Sequence, residues 1–227
     1  MIDRKNIKEM SRQQLNRNRN WIVPVILSAV TFLITGYYPN NMSMRDSSLM
    51  SLSIALVMTT LNIFMANSCL QIAKSKGNET VGWSRILITL KTFIKCILYS
   101  ILISLIELTV TLGAVLIGSM YLIKIPILGI VILIIALFIG GIISIYCTFS
   151  VFTILDKDVN VFEAISMSIH LIRGYFWKII ILSLSFILWY LLGAITLGMA
   201  MFWVVPYMTV TYSNYYLLLY DEKYSQW

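Results

Sequence analysis

The sequence predicts an all-α protein, a polytopic transmembrane helical bundle of six spans with short cytoplasmic amphipathic helices. The first observation is composition: 59% of the residues are hydrophobic and 12% are charged, whereas soluble domains are about 25% charged. The second is the stretch between Lys178 and Asp221, which contains no Lys, Arg, Asp or Glu. Because roughly 20 apolar residues cross the ~30 Å hydrocarbon core, this stretch predicts two spans joined by a turn between Gly193 and Gly198.

The other apolar stretches bring the number of predicted spans to six. They run from about Trp21 to Tyr37, Leu49 to Ile72, Ile97 to Tyr121, Ile127 to Leu155, Phe176 to Leu192 and Met199 to Leu219. The first follows a basic segment, as in a signal peptide, but it lacks a small-x-small cleavage site and five more spans follow, so we expect it to be retained. The predicted organisation is a basic leader over residues 1–20, one six-span membrane domain over 21–220 and a tail over 221–227.

The distribution of basic residues predicts the orientation. Of the 17 Lys and Arg residues, all but Arg45 and Lys124 fall in the leader, the second and fourth connections and the tail. Positive residues accumulate on the cytoplasmic side of membrane proteins, so both termini are expected to be cytoplasmic. The net charge of +7 is spread over these loops rather than gathered in one patch. We therefore expect no nucleic-acid partner.

Two connections are predicted to form short amphipathic helices on the cytoplasmic face. Residues Trp83 to Lys95 place apolar side chains at helical spacing among basic ones, which is typical of a helix at the bilayer surface that attracts anionic lipid headgroups. In Asn160 to Gly174, Asn160 and Glu163 have the spacing of a capping box, and Gly174 suits the residue that closes a helix. Its expected apolar side comprises Phe162, Ile165, Ile169 and Ile172.

Glu107 is the only acidic residue within a predicted span. A charge at the bilayer centre costs about 2.5–3.5 kcal/mol on insertion scales, so such a carboxylate suggests a function: a proton or cation relay, or a site for a cationic peptide. The alternative is a protonated Glu107 that forms a hydrogen bond with a Ser or Thr of a neighbouring helix, and we expect this structural role.

Four further residues in the predicted spans are candidates with a structural alternative. Gly140 and Gly141 lie midway along the fourth span. A glycine pair there indicates a broken transporter helix, close helix packing or a kink, and we favour packing. Pro206 and Tyr207 in the sixth span are similarly open between a functional and a structural role.

The sequence provides little support for an enzyme. Glu163 and the only histidine, His170, share one side of the short helix. Such a pair can act in general acid–base catalysis, but the sequence offers no third residue to complete a catalytic group. There is no H-E-x-x-H, P-loop, G-x-S-x-G or paired intramembrane acid, and the three cysteines form no metal-ligand pattern. We expect no catalytic activity, cofactor or metal.

The C-terminal part contains four elements in a specific order. They are GIISIYCTFSVFTILD (Gly141–Asp156), EAISMSIHLIRG (Glu163–Gly174), LSFILWYLLGAITLG (Leu184–Gly198) and WVVPYMTVTYSNYY (Trp203–Tyr216). In this combination they resemble a family of small six-helix membrane proteins of Gram-positive bacteria known as domain of unknown function 975. The resemblance implies that fold and a bacterial plasma-membrane location. It implies no ligand or catalytic residues, since the family has no assigned activity.

We therefore expect a non-enzymatic component of the membrane that binds a lipid, a peptide or a partner protein, in contact with the lipid bilayer and its anionic headgroups. The alternative is a small transporter, or the membrane subunit of one. Because the chain has no nucleotide-binding segment, the alternative would require a membrane or ABC-type partner protein.

Overall fold

The computed structural model describes residues 4–36, 44–75, 81–82 and 85–224, and these residues contain ten α-helices and no strand. The helices are α1 (Arg4–Asn16), α2 (Ile22–Gly36), α3 (Met44–Lys74), α4 (Leu90–Lys124), α5 (Pro126–Cys147), α6 (Ser150–Lys157), α7 (Val161–Ile172), α8 (Phe176–Leu184), α9 (Ile187–Ile195) and α10 (Met201–Tyr224). This confirms the all-α prediction for the described part of the chain.

Four helical stretches are long and apolar enough to span a membrane. They are Leu49–Lys74, Leu90–Tyr121, Pro126–Lys157 and Phe176–Ile195, and they correspond to the second to fifth predicted spans. The first predicted span is α2, although Tyr37 lies outside the described residues. It qualifies only together with α1, from which it is bent by 98°. The described residues thus form a helical membrane protein with four to five candidate spans.

The predicted sixth span forms α10, the helix against which most of the others pack. It contacts α1, α2, α3, α7 and α9. The side chains of Thr211, Ser213, Asn214, Tyr215 and Tyr216 are all buried within the protein. These inward-facing polar groups lower the mean hydropathy of α10, and α10 is not among the four qualifying stretches.

Two of the predicted spans are interrupted. The fourth breaks between α5 and α6 at Thr148 and Phe149, and the fifth breaks between α8 and α9 at Ser185 and Phe186. Both phenylalanine rings are fully buried in the same apolar cluster, which includes Tyr215 and residues of α1 and α3. At each interruption, therefore, a phenylalanine side chain points into the core around α10.

Hydroxyl groups of other helices satisfy the backbone at the first interruption. The Ser168 Oγ donates to the Tyr146 carbonyl at 2.7 Å and accepts from the Phe149 N–H at 3.2 Å. The Tyr99 hydroxyl donates to the Cys147 carbonyl at 2.8 Å. Because an unpaired backbone group is costly in an apolar environment, these contacts fix α4 and α7 against the break.

The predicted short helix at Asn160–Gly174 is confirmed as α7, and Gly174 has the expected left-handed φ of +94°. The predicted capping box is wrong. Asn160 forms no side-chain capping bond, and Glu163 is exposed with no hydrogen bond or ion pair to the described residues. Since Asn160 is itself exposed, water can satisfy the first-turn N–H groups.

The predicted apolar face of α7 is only partly correct. Phe162 and Ile169 are 77% and 43% exposed, and the buried residues are Ala164, Ser168, Leu171 and Ile172. At the other end of the helix, the Lys223 ammonium donates to the carbonyls of His170 and Arg173. A cation at a helix C-terminus is favourable because the last carbonyls there lack intrahelical partners.

The predicted surface helix at Trp83–Lys95 is also wrong in its first half. Trp83 lies outside the described residues, residues 87–89 are not helical, and Leu90–Lys95 is the first part of α4. Asn67 donates to the Ile86 carbonyl at 2.9 Å. This bond and the burial of Ile86 hold the segment in a non-helical connection.

Asp156 joins three helices at the end of α6. Its carboxylate forms ion pairs with Lys74 of α3 and with Lys157 at 3.3 Å, and it accepts from the Tyr216 hydroxyl of α10 at 3.0 Å. Only 6% of the Asp156 side chain is exposed. A buried carboxylate needs several such partners to offset its desolvation.

Asp158 joins the same corner to α4. Its carboxylate accepts from Lys95 at 3.0 Å and from Thr92 at 2.8 Å. The hydrogen bond from Lys95, followed by that from Thr92, holds the pKa of Asp158 below its usual value. Charge-assisted bonds of this kind favour the ionised carboxylate.

We predict that Ser168→Ala lowers the free energy of unfolding by about 1–3 kcal/mol, because it leaves buried backbone groups at the break unpaired. Asn160→Ala is the control on the same helix, and its effect should stay within about 0.5 kcal/mol, as for other surface changes. Thermal unfolding of the purified protein in detergent measures both. Equal midpoints for Ser168→Ala and wild type would show that Ser168 does not support the break.

Candidate functional site

Helices α4 and α5 form an antiparallel hairpin that turns at Ile125. They pack tightly at Gly118, where an added Cβ would lie 3.3 Å from the Leu133 Cγ. A side chain larger than hydrogen at this position would require Leu133 to shift by a few tenths of an ångström. Gly118 is thus the glycine that permits close packing in this hairpin, as small residues do between membrane helices.

Between the two helices of the hairpin lies a partly open cavity of about 460 Å³, here named the α4–α5 groove. It is lined by Glu107, Val110, Thr111, Ala114 and Val115 of α4 and by Leu133, Ala136, Leu137, Gly140, Gly141 and Ser144 of α5. Three residues selected from the sequence, Glu107, Gly140 and Gly141, therefore line one groove, although they come from different helices.

Gly140 and Gly141 leave this groove open. Helix α5 runs without interruption through both residues, so no broken helix exposes backbone groups there. A Cβ added to either glycine would meet no atom within 4 Å, so the expected role in close packing is also wrong. The missing side chains instead leave free volume beside Glu107.

Glu107 forms the polar part of the groove. The Ser144 hydroxyl donates to the Glu107 Oε1 at 2.9 Å, which confirms the predicted hydrogen bond to a serine or threonine of a neighbouring helix. The other carboxylate oxygen accepts no hydrogen bond from the described residues. Glu107 is exposed to the groove. Its second oxygen can therefore accept a hydrogen bond from a ligand or hold a cationic group.

Pro206 has a structural role. Because proline has no N–H, it leaves the carbonyl four residues earlier without its helical partner. That carbonyl belongs to Phe202, and the buried Ser28 hydroxyl of α2 lies 3.0 Å from it and 2.9 Å from the Val25 carbonyl of its own helix. Because a hydroxyl has one proton to donate, Ser28 can donate to either carbonyl. Pro206 is itself buried in α10, so Ser28 of α2 is a donor within reach of the carbonyl that the proline leaves open.

Tyr207 does not line the α4–α5 groove. Its ring packs against Phe186 and Trp189, with centroids 5.8 Å and 6.1 Å away. It borders two cavities next to α1 instead. Glu163 lies on the exposed side of α7 and lines none of these cavities. His170 contacts the ring of Tyr224, at a centroid distance of 5.9 Å.

Sequence reasoning missed the partners of these residues. Nothing in the sequence pairs Ser144 with Glu107 or Ser28 with Phe202, because such pairs depend on helix rotation. The sequence indicates the ion pair of Asp156 with Lys74 only weakly. Both residues closely follow predicted spans, at the ends that are expected on the cytoplasmic side. Within the described residues, no group of three or more His, Cys, Asp or Glu side chains is placed to hold a metal ion.

Comparison with known proteins identifies the family. The sequence model of a family described as "Protein of unknown function (DUF975)" matches residues 1–223. The chain belongs to this family. The DUF975 match extends well before Gly141, where the resemblance noted in the sequence begins, and so includes α1 and the α4–α5 hairpin. No curated protein and no solved structure matches the chain.

We predict that Glu107→Leu lowers the free energy of unfolding by about 0.6–2 kcal/mol, the usual magnitude for an interhelical hydrogen bond in a membrane protein. Glu107→Gln should be nearly silent, because the amide oxygen still accepts from Ser144. Unfolding in detergent measures both variants. A Gln variant as unstable as the Leu variant would show that the carboxylate charge, rather than the hydrogen bond, is required.

Proposed function

We propose that the chain is a six-span protein of the bacterial plasma membrane with both termini in the cytoplasm. The bias of basic residues toward alternate connections supports this orientation. Four candidate spans and the bent α1–α2 pair account for up to five crossings. The sixth is α10, whose polar side chains face the protein rather than lipid.

We propose further that the protein is a non-enzymatic membrane component that binds its ligand in the α4–α5 groove. The observation behind this proposal is the chemistry of the groove wall, which is apolar except for Glu107, Ser144 and Thr111. Such a wall fits an apolar ligand with one cationic or hydrogen-bond-donating group: a lipid, a peptide or a membrane segment of a partner protein.

The apolar surface around the groove supports entry of a ligand from within the bilayer. Apolar residues on both helices are strongly exposed, for example Leu116 at 65% and Phe138 at 70%. In a bilayer these faces contact lipid tails or another membrane segment. An apolar ligand can then reach the groove by lateral diffusion, without opening the core around α10.

A small transporter, or the membrane subunit of one, is the second candidate. It is favoured by the meeting of Glu107 with Gly140 and Gly141 in one cavity, as expected of an ion or substrate site. The continuous α5 lacks the freed backbone groups that transporters use for coordination, so binding is the better-supported function. Copurification of a membrane or ABC-type ATPase with the chain would make the transporter the better-supported function.

Photo-crosslinking in cells tests the groove. A photoreactive phenylalanine analogue replaces Leu137, which lines the groove and is 76% exposed, and in a control it replaces the adjacent, similarly exposed Phe138. Mass spectrometry then identifies the adducts. We expect a discrete lipid, peptide or protein adduct from position 137 and only heterogeneous bulk-lipid adducts from position 138.

Gly141→Leu combined with the position 137 probe should abolish the discrete adduct, because the new side chain fills the groove. Gly113→Leu is the matched control: Gly113 is also helical and has open space around an added Cβ, but it does not line the groove. Loss of the adduct in both variants, or in neither, would contradict binding in the groove.

A further inference from the structure

Helix α1 is held firmly against the bundle, so that its charged residues have fixed positions. Ile7, Ser11 and Leu15 form its buried face. The Asn214 amide of α10 donates to the Ser11 Oγ at 2.9 Å and to the Gln14 Oε1 at 2.7 Å. Asn214 is only 2% exposed, so this buried amide depends on α1 for its partners.

The exposed side of α1 lines a polar cavity of about 860 Å³ next to Tyr207. The cavity wall contains three cations, Lys8, Arg12 and Arg17, and one acid, Glu9. Arg12 forms no hydrogen bond or ion pair with the described residues, and it is an exposed residue that lines the cavity. The excess of positive charge favours an anionic ligand.

A second cavity of about 360 Å³ continues from the first. Both are lined by Arg12, Asn16 and Tyr207. The second adds Leu15, Val204 and the rings of Trp189 and Trp203. One end of the joined space is therefore cationic and the other is apolar and aromatic, which is the environment of a membrane–water interface.

Lys8 is oriented toward the same region. Its ammonium lies 4.2 Å from the Phe186 ring centroid and 3.4 Å from the Ser185 carbonyl, to which it donates. Because only one of its three N–H donors is used in this bond, Lys8 can also donate to an anion that Arg12 binds. Lys8 and Arg12 both line this cavity, and a pair of cationic side chains suits a phosphate group.

We propose that these two cavities, together named the α1 pocket, bind one anionic phospholipid. Arg12 and Lys8 bind its phosphate, and an acyl chain lies against Trp189 and Trp203. The apolar half of the pocket favours a lipid over a free phosphate.

Native mass spectrometry of the full chain released from detergent tests this proposal. Dioleoylphosphatidylglycerol, dioleoylphosphatidylcholine and soluble glycerophosphate are titrated separately. We expect one retained phosphatidylglycerol, at least tenfold tighter than phosphatidylcholine, and no retained glycerophosphate. Equal retention of the two lipids, or retention of glycerophosphate as tight as that of phosphatidylglycerol, would overturn the proposal.

Two variants distinguish lipid binding at a specific site from general attraction of the lipid to positive charge. Arg12→Gln should weaken phosphatidylglycerol retention about tenfold, which corresponds to ~1.4 kcal/mol, and should leave phosphatidylcholine unchanged. Arg19→Gln is the control, because it removes one charge next to α1 but does not line the α1 pocket. Equal weakening by both variants, or none by Arg12→Gln, would contradict a defined site.

The unfolding midpoint shows whether Arg12→Gln remains folded, and Lys8→Gln provides a second variant if it does not. Lys8→Gln should weaken retention in the same direction, and unchanged retention would contradict the role of Lys8. The α4–α5 groove has no part in this measurement. Failure here therefore leaves the groove proposal intact, and failure of the groove cross-link leaves this one intact.

Discussion

The apolar helices of this protein contain two breaks and an internal proline, and each must have its freed backbone groups satisfied within the protein. Side chains of other helices provide partners. Ser168 of α7 and Tyr99 of α4 pair with the break after α5, and Lys8 of α1 donates to the Ser185 carbonyl at the break after α8. Ser28 of α2 lies within hydrogen-bond distance of the carbonyl that Pro206 leaves open. Because these side chains come from different helices, they also fix the helices around α10. The interruptions are thus part of the packing rather than hinges.

The architecture divides into a core and a projecting hairpin. Helix α10, with its own Tyr215 and the rings of Phe149 and Phe186 beside it, organises the core. The α4–α5 hairpin contacts the core through α3, α6, α7 and α8, and most of its apolar side chains remain exposed. A ligand site in the hairpin can therefore be occupied without disturbing the core. The α1 pocket lies on the core instead, so the two proposed sites are on separate parts of the molecule.

The sequence predicted the helical fold and most span positions, because long uncharged stretches permit few alternatives. It also selected Glu107, Gly140 and Gly141, which the fold brings to one groove. It did not predict that Gly118 is the packing glycine or that Ser144 pairs with Glu107, since both depend on the rotation of α4 against α5. The capping box at Asn160 failed because local spacing does not show whether a helix start is exposed to water. The basic composition of the leader does not indicate the buried helical face that Ile7, Ser11 and Leu15 form.

The crossing of α10 tests the account most directly, because this helix is the centre of the core and has the polar composition least typical of a span. Single cysteines at Met199 and Asp221, which are exposed at its two ends, can be labelled with a membrane-impermeant maleimide; the native Cys69, Cys96 and Cys147 are buried. We expect Met199→Cys to label in intact cells and Asp221→Cys only after permeabilisation. Labelling of both positions from the same side would show that α10 does not cross the membrane and would contradict the six-span topology.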